Sequence, residues 1–204
     1  MNTPYSNTDR SFFIDQVIPN LHNEFPNEIQ DKLLIYRRER VGKPIIYVGI
    51  TTSSIVAGAL QTIDAIQNYI DENGIEAELV RVGSLGMCSF EPVVDIQLPG
   101  KTRISLKNVT ADMVPSLLDG ALNNYIQAGS AFFQYASPIH EAWSDIPFMN
   151  DLPFFSKQNR VLLRNSGVIN PESIIEYIAW GGYSALAKTL RQYTCDSVCK
   201  AVED

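Results

Sequence analysis

Ile45-Ile46-Tyr47-Val48-Gly49 runs straight into Ile50-Thr51-Thr52-Ser53-Ser54-Ile55-Val56-Ala57-Gly58-Ala59, and the fold turns on how this stretch is read. Its first five residues follow Lys43-Pro44 and are short and apolar, as a buried strand requires. A turn of threonines and serines comes next. From about Ser54 to Asn73, Ile55, Leu60, Ile63, Ile66, Tyr69 and Ile70 recur at helical spacing, and Gly74 suits the stop. Ala77-Glu78-Leu79-Val80-Arg81-Val82 then alternates like a second strand.

Working outward, the loop Gly83–Glu91 leads to Val93-Val94-Asp95-Ile96-Gln97-Leu98, a third strand. Pro99-Gly100-Lys101 is a tight turn, and Arg103-Ile104-Ser105-Leu106 a fourth strand. Thr110 is placed to cap a helix through Met113, Val114, Leu117, Leu118 and Leu122. Strand–helix–strand, hairpin, helix is the order of a thioredoxin-like α/β fold, with a right-handed crossover expected in its first half. Upstream, Phe12, Phe13, Val17, Ile18 and Leu21 mark a buried helical stripe, and Pro26 begins a second helix through Ile29, Leu33 and Leu34. Downstream, Phe132, Phe133, Tyr135, Pro138, Trp143, Pro147 and Pro153 alternate with small polar residues, which reads as an extended linker packing through its aromatics. Asn170-Pro171-Glu172-Ser173 is a helix start, with Asn as cap and Pro in the first turn. That helix would carry Ile174, Ile175, Tyr177 and Ile178 and break at Gly181-Gly182. Tyr183–Gln192 forms another helix, and Thr194 caps a last one. The division expected is therefore 1–42, a helical extension; 43–127, the α/β domain; 128–155, the linker; and 156–204, a helical segment.

The chain has 204 residues, 45% of them hydrophobic and 19% charged, the composition of a globular protein. A net charge of −7 argues against nonspecific nucleic-acid binding, which needs Lys and Arg to neutralise phosphates. Arg37-Arg38-Glu39-Arg40 is a local basic run, either a solvated helix end or a contact for an acidic partner subunit. No stretch approaches the ~20 apolar residues of a membrane-spanning helix. Met1-Asn2-Thr3-Pro4-Tyr5-Ser6 lacks the basic start and apolar core of a secretory signal, so the cytoplasm is expected.

The three cysteines are an odd number at irregular spacing and indicate no disulfide framework. Cys195 and Cys199 lie four apart on one side of a helix, but a tetrahedral zinc site wants four ligands and the only histidines are His22 and His140. Thr51-Thr52-Ser53-Ser54 offers hydroxyls at a helix start, suited to an anion or simply to capping, without the glycines and lysine of a phosphate loop. No catalytic triad or carboxylate pair can be argued from the linear sequence.

Three stretches resemble the N-terminal part of the NADH-binding flavoprotein subunit of bacterial NADH dehydrogenases and NAD-linked hydrogenases, which begins with a thioredoxin-like [2Fe–2S] ferredoxin domain. They are Val48-Gly49 through Ala57-Gly58-Ala59; Gly83-Ser84-Leu85-Gly86-Met87-Cys88 with Glu91-Pro92-Val93-Val94-Asp95 and Leu98-Pro99-Gly100; and Arg160-Val161-Leu162-Leu163-Arg164-Asn165-Ser166-Gly167 with Asn170-Pro171-Glu172-Ser173-Ile174 and Gly181-Gly182-Tyr183-Ser184-Ala185-Leu186. The third is the most specific, because it belongs to this subunit type rather than to ferredoxins at large.

The resemblance implies cluster-ligand cysteines at the positions of Ser53, Ser84 and Cys88, with another near Val48 in some members. Here serine stands at two of those positions and only Cys88 remains. Iron–sulfur clusters are held by thiolates, and a serine hydroxyl loses its proton far less readily than a thiol. Ser53, Ser84 and Cys88 are therefore read as vestigial ligand positions, and no cofactor is expected. The family's flavin loop follows the helix matching Ser197–Asp204, so no residue here is assigned an FMN, NADH or [4Fe–4S] role. The expected function is that of a non-catalytic docking subunit or domain of an NADH- or hydrogen-linked electron-transfer complex, whose other subunits are its partners. It would sit in the cytoplasm, peripheral to a membrane complex where partners hold it there. The alternative is a fragment of an NADH-oxidising oxidoreductase whose flavin domain is missing or separately encoded. The aromatic segment and the N-terminal helices are the expected contact surfaces, since exposed apolar patches mark partners. A redox role for Cys88 as a lone thiol is the remaining reading.

Overall fold

A computed structural model describes residues 6–21, 24–127 and 129–203. Met1–Tyr5, part of the stretch without signal character, lies outside the described residues, as does His22. The chain forms two compact units: residues 40–171 make one, and the two ends, up to 39 and from 172 onward, make the other.

In the first unit, β1 (Ile45–Gly49), β2 (Glu78–Val82), β3 (Val94–Gln97), β4 (Ile104–Leu106) and β5 (Ala131–Gln134) form one sheet in the order β2-β1-β3-β4-β5. β1 and β2 are parallel, which demands a crossover connection; the other pairs are antiparallel. The first four strands have the thioredoxin-like order that the succession of elements predicts. The crossover, however, is two helices rather than one. Thr51 caps Thr52–Val56, and Gly58, at φ +102°, turns the chain before Ala59–Glu72 begins. Only glycine adopts that backbone without strain. Thr110 also differs from expectation. It precedes a 3₁₀ turn, Ala111–Met113, and makes no side-chain cap, while the α-helix runs Val114–Leu122.

Strand residues alternate between two faces. Ile46, Val48, Val94, Ile96, Ile104 and Leu106 meet Ala59, Ile63, Ile66 and Ile70 of the crossover helix and Val114, Leu118 and Ala121 of the helix after β4. Each of those helices turns apolar residues to the sheet, while Ile55 and Leu60, counted in the same helical recurrence, stay exposed.

The segment expected to be a linker, 128–155, instead completes the sheet. Ala131–Gln134 pairs with β4, and Phe133 and Phe155 are buried in a cluster with Met87. Gln134 fixes the next turn, donating to the carbonyls of Trp143 and Ile146 at 2.9 and 2.6 Å and accepting from Thr102 Oγ1 at 2.6 Å. Phe133, Trp143 and Phe155 are thereby buried inside the unit, while Phe154 and Ile139 of the same segment stay exposed. The unit also continues to residue 171, past the expected boundary at 155.

The second unit joins the two ends of the chain. Phe12, Phe13, Val17 and Leu33 pack with Ile175, Ile178 and Ala179. The N-terminal stripe is not one α-helix: Asn7–Ser11 is α, Phe12–Val17 π-helical and Ile18–Asn20 3₁₀. Asn27–Tyr36 follows Pro26 as expected. The later helix starts at Ile174 with Ser173, not Asn170, as its cap: Ser173 Oγ accepts from the Glu176 N–H at 3.2 Å. Gly182 is confined by Tyr177, whose ring lies 2.3 Å from where a Cβ would stand. Helices Ser184–Gln192 and Cys195–Glu203 complete the unit. Among the described residues, no helix is long and apolar enough to cross a membrane.

Candidate functional site

β1 and β2 are parallel, so the loops at their C-terminal ends emerge side by side. Gly49 N–H bonds to the Val93 carbonyl at 3.1 Å, and Ile50 N–H to that of Val82 at 2.7 Å. Those contacts bring the Thr/Ser turn against the loop Gly83–Glu91 and assemble Ser53, Ser84 and Cys88 on one rim. Ser53 Oγ donates to Cys88 Sγ at 3.6 Å. Thr51 Oγ1 lies 3.0 Å from Ser53 Oγ and donates to Glu91 Oε1 at 3.3 Å. Ser84 Oγ donates to the same Glu91 oxygen at 3.2 Å and accepts from Gly86 N–H at 3.0 Å. Ser166 Oγ holds the loop from the other side, on the Ser84 carbonyl at 2.8 Å.

Ser53, Ser84 and Cys88 are thus brought together, with Thr51 and Glu91 linking them. The role of Thr51 and Glu91 is not visible in sequence, because hydroxyl pairing to a carboxylate forty residues away leaves no spacing signal. The position near Val48 is different. That side chain is fully buried among the apolar residues facing the helices and offers no donor.

This donor set does not fit a [2Fe–2S] cluster. Four thiolates are the usual requirement, and the rim has one thiol, that of the exposed Cys88. The serine hydroxyls are turned to a carboxylate and a thiol, an arrangement of neutral donors around an acceptor. Among the described residues, no group of three His, Cys, Asp or Glu could hold a metal ion. Cys195 and Cys199 are both exposed on the last helix and gain no third ligand among the described residues. The Thr51–Ser54 turn is used for capping: Thr51 Oγ1 accepts from Ser54 N–H at 3.2 Å, and Ser54 Oγ from Thr51 N–H at 2.7 Å.

A second constellation lies deeper. Arg103 stacks 3.6 Å above the Tyr47 ring. Its Nε and Nη2 donate to Asp95 Oδ2 at 2.9 and 2.6 Å, and its remaining donors bind the carbonyls of Val168 and Gly167 at 2.9 and 2.8 Å. Tyr135 also donates to Asp95 Oδ2, and burial followed by that carboxylate's charge holds its phenol protonated far above the ordinary range. The signal available in sequence was Asp95 itself, a charge inside an apolar strand, which must find a partner when buried.

No family model matches the chain. Among solved structures it is similar to the thioredoxin-like [2Fe–2S] ferredoxin from Aquifex aeolicus. One structure gives a TM-score of 0.40 at 13% identity, covering 48% of this chain and 97% of the ferredoxin. A second, of the wild-type protein, gives 0.38 at 13% identity, covering 45% and 97%. Among curated proteins, the NADP-reducing hydrogenase subunit HndB of Solidesulfovibrio fructosivorans is 31% identical over 90 residues, 44% of this chain and 71% of that subunit. That sequence match meets the NAD-linked hydrogenase side of the resemblance seen in the loops. The chain belongs to the family of the NADP-reducing hydrogenase subunit HndB.

Proposed function

We propose that this chain is a non-catalytic docking subunit or domain of an NADH- or hydrogen-linked electron-transfer complex, a ferredoxin-type scaffold kept without its cluster. The observation that carries the reading is the rim. Ser53, Ser84 and Cys88, the positions where the resemblance implies thiolates, stand together: Ser53 donates to Cys88 Sγ, and Ser84 donates to Glu91, the carboxylate that Thr51 also reaches. The relative's place as a subunit of a hydrogenase supports the choice of assembly. Partners would be the other subunits of such a complex, and the cytoplasm the compartment. Besides the N-terminal helices expected from the sequence, the structure offers a further contact in Val161-Leu162-Leu163, consecutive aliphatics that stay exposed, Leu162 at 95%.

Iron, acid-labile sulfide and visible absorption, measured on anaerobically purified protein with co-purifying chains identified by mass spectrometry, test both halves of the reading. Near-zero iron with a hydrogenase- or flavoprotein-type partner supports it. Stoichiometric iron with ferredoxin-like absorption would make the chain an electron carrier and end the docking reading. Leu162→Asp should reduce partner recovery severalfold without altering the fold.

A further inference from the structure

Beneath the rim, within residues 40–171, a partly open cavity is walled by Leu85, Met87, Phe90, Phe132 and Phe133 and is also lined by Glu91, Asp95 and Ser105. Its free space admits about two water-sized groups. Each of these three polar residues carries a buried oxygen with no hydrogen-bond partner among the described residues: Glu91 Oε2, Asp95 Oδ1 and Ser105 Oγ. Asp95 and Ser105 are 3% and 1% exposed and face each other across the β3–β4 pair. Leaving such atoms unpaired costs about 1–3 kcal/mol each, more for charged groups, so an occupant that supplies donors is strongly favoured.

We propose that this cavity is a binding site for a small ammonium-type cation, ammonium itself or a primary amine of methylammonium size. A primary alkylammonium brings three donors and the ammonium ion four, with no acceptor in either, the complement of unpartnered carboxylate and hydroxyl oxygens. It also brings charge. Asp95 is neutralised through its other oxygen by Arg103, but among the described residues Glu91 receives the hydroxyls of Thr51 and Ser84 and no cation. The walls suit a cation as well, since aromatic faces attract positive charge. Lys107, the cationic side chain on the lining, already holds its ammonium 5.6 and 5.8 Å from the Phe90 and Phe132 ring centres. A water molecule would satisfy two acceptors and leave the carboxylate charge unbalanced.

Thermal unfolding midpoints at constant ionic strength decide the matter, with ammonium, methylammonium, tetramethylammonium and potassium chlorides compared. Ammonium and methylammonium should raise the midpoint saturably; tetramethylammonium, which has no donor, should not. Tighter binding of methylammonium points to an amine-bearing ligand, and tighter binding of ammonium to the inorganic ion. An equal rise with potassium overturns the assignment, because potassium matches ammonium in size but donates nothing. Glu91→Gln and Ser105→Ala should each weaken the response at least tenfold. Should either variant fail to fold, a slowly exchanging ¹⁵N-ammonium resonance on the unaltered protein reads the same site. No salt-specific shift and no bound resonance would mean that the cavity holds water only.

Discussion

Arg103 and Cys88 belong to the same sheet unit and live under opposite rules. Arg103 is buried, and its donors are distributed over Asp95 and two carbonyls of the Gly167–Val168 turn. Cys88 is exposed and receives one long hydrogen bond from Ser53. A buried charge is held by everything around it and cannot be altered alone. An exposed rim group is compensated by water whatever it becomes. On the proposed reading, the chemistry of a cluster site could therefore be erased from the rim while the sheet beneath stays intact.

The sharpest way to break this comparison is at the buried end. Arg103→Ala leaves Asp95 uncompensated and frees the carbonyls of Gly167 and Val168, so it should destabilise by about 3–5 kcal/mol, read as a loss of urea midpoint. Replacing Asp95 and Arg103 together with leucine and methionine should recover part of that loss, because an apolar pair of similar volume often substitutes for a buried ion pair. Recovery will be incomplete, since the carbonyls remain without donors. Full recovery would show that Arg103 serves Asp95 alone and not the Gly167–Val168 turn.

The two faces of the sheet extend the comparison. Ile66 is fully buried on the helix-covered face. Ile66→Ala should cost about 2–5 kcal/mol, set by how far the neighbours collapse into the cavity, again read in urea. That face was legible in sequence. The helical recurrence of Ile63, Ile66 and Ile70 and the apolar residues of β1 and β3 declare it through spacing alone. The other face was not. Asp95, Ser105, Gln97 and Arg103 look like the solvent side of half-buried strands, and their burial follows from a covering segment, 131–169, whose aromatics carry no regular period. The same lack of period made β5 read as linker. At the rim, Ser53, Ser84 and Cys88 were singled out through the resemblance and the fold brings them together, while Glu91 and Thr51, which tie them together, have no spacing to betray them. Gly58 lies inside the helical pattern read as continuous from Ser54 to Asn73, and a lone glycine there does not announce a left-handed turn.

Thr51 tests the rim where it also serves the fold. Its side chain caps the first crossover helix and reaches Glu91. Thr51→Ala should cost about 0.5–2 kcal/mol, the range for a lost N-cap. Thr51→Ser keeps the hydroxyl and should restore most of it. A loss confined to the cap would leave the ammonium response unchanged; a coupled loss would tie the Glu91 carboxylate's position to this hydroxyl.

Cys88→Ser should do least. The side chain is exposed, its one described side-chain hydrogen bond is long, and serine accepts from Ser53 as sulfur does. Stability should move by no more than about 0.5 kcal/mol, as for surface substitutions free of special contacts, and partner recovery should be unchanged. A larger effect on stability would mean that the rim is packed more tightly than its exposure shows. Unchanged stability with lost partner recovery or lost redox reactivity would be the more consequential outcome. It would give the surviving thiol a use of its own, and the rim would then be a working site reduced to one residue rather than a scaffold with an idle remnant.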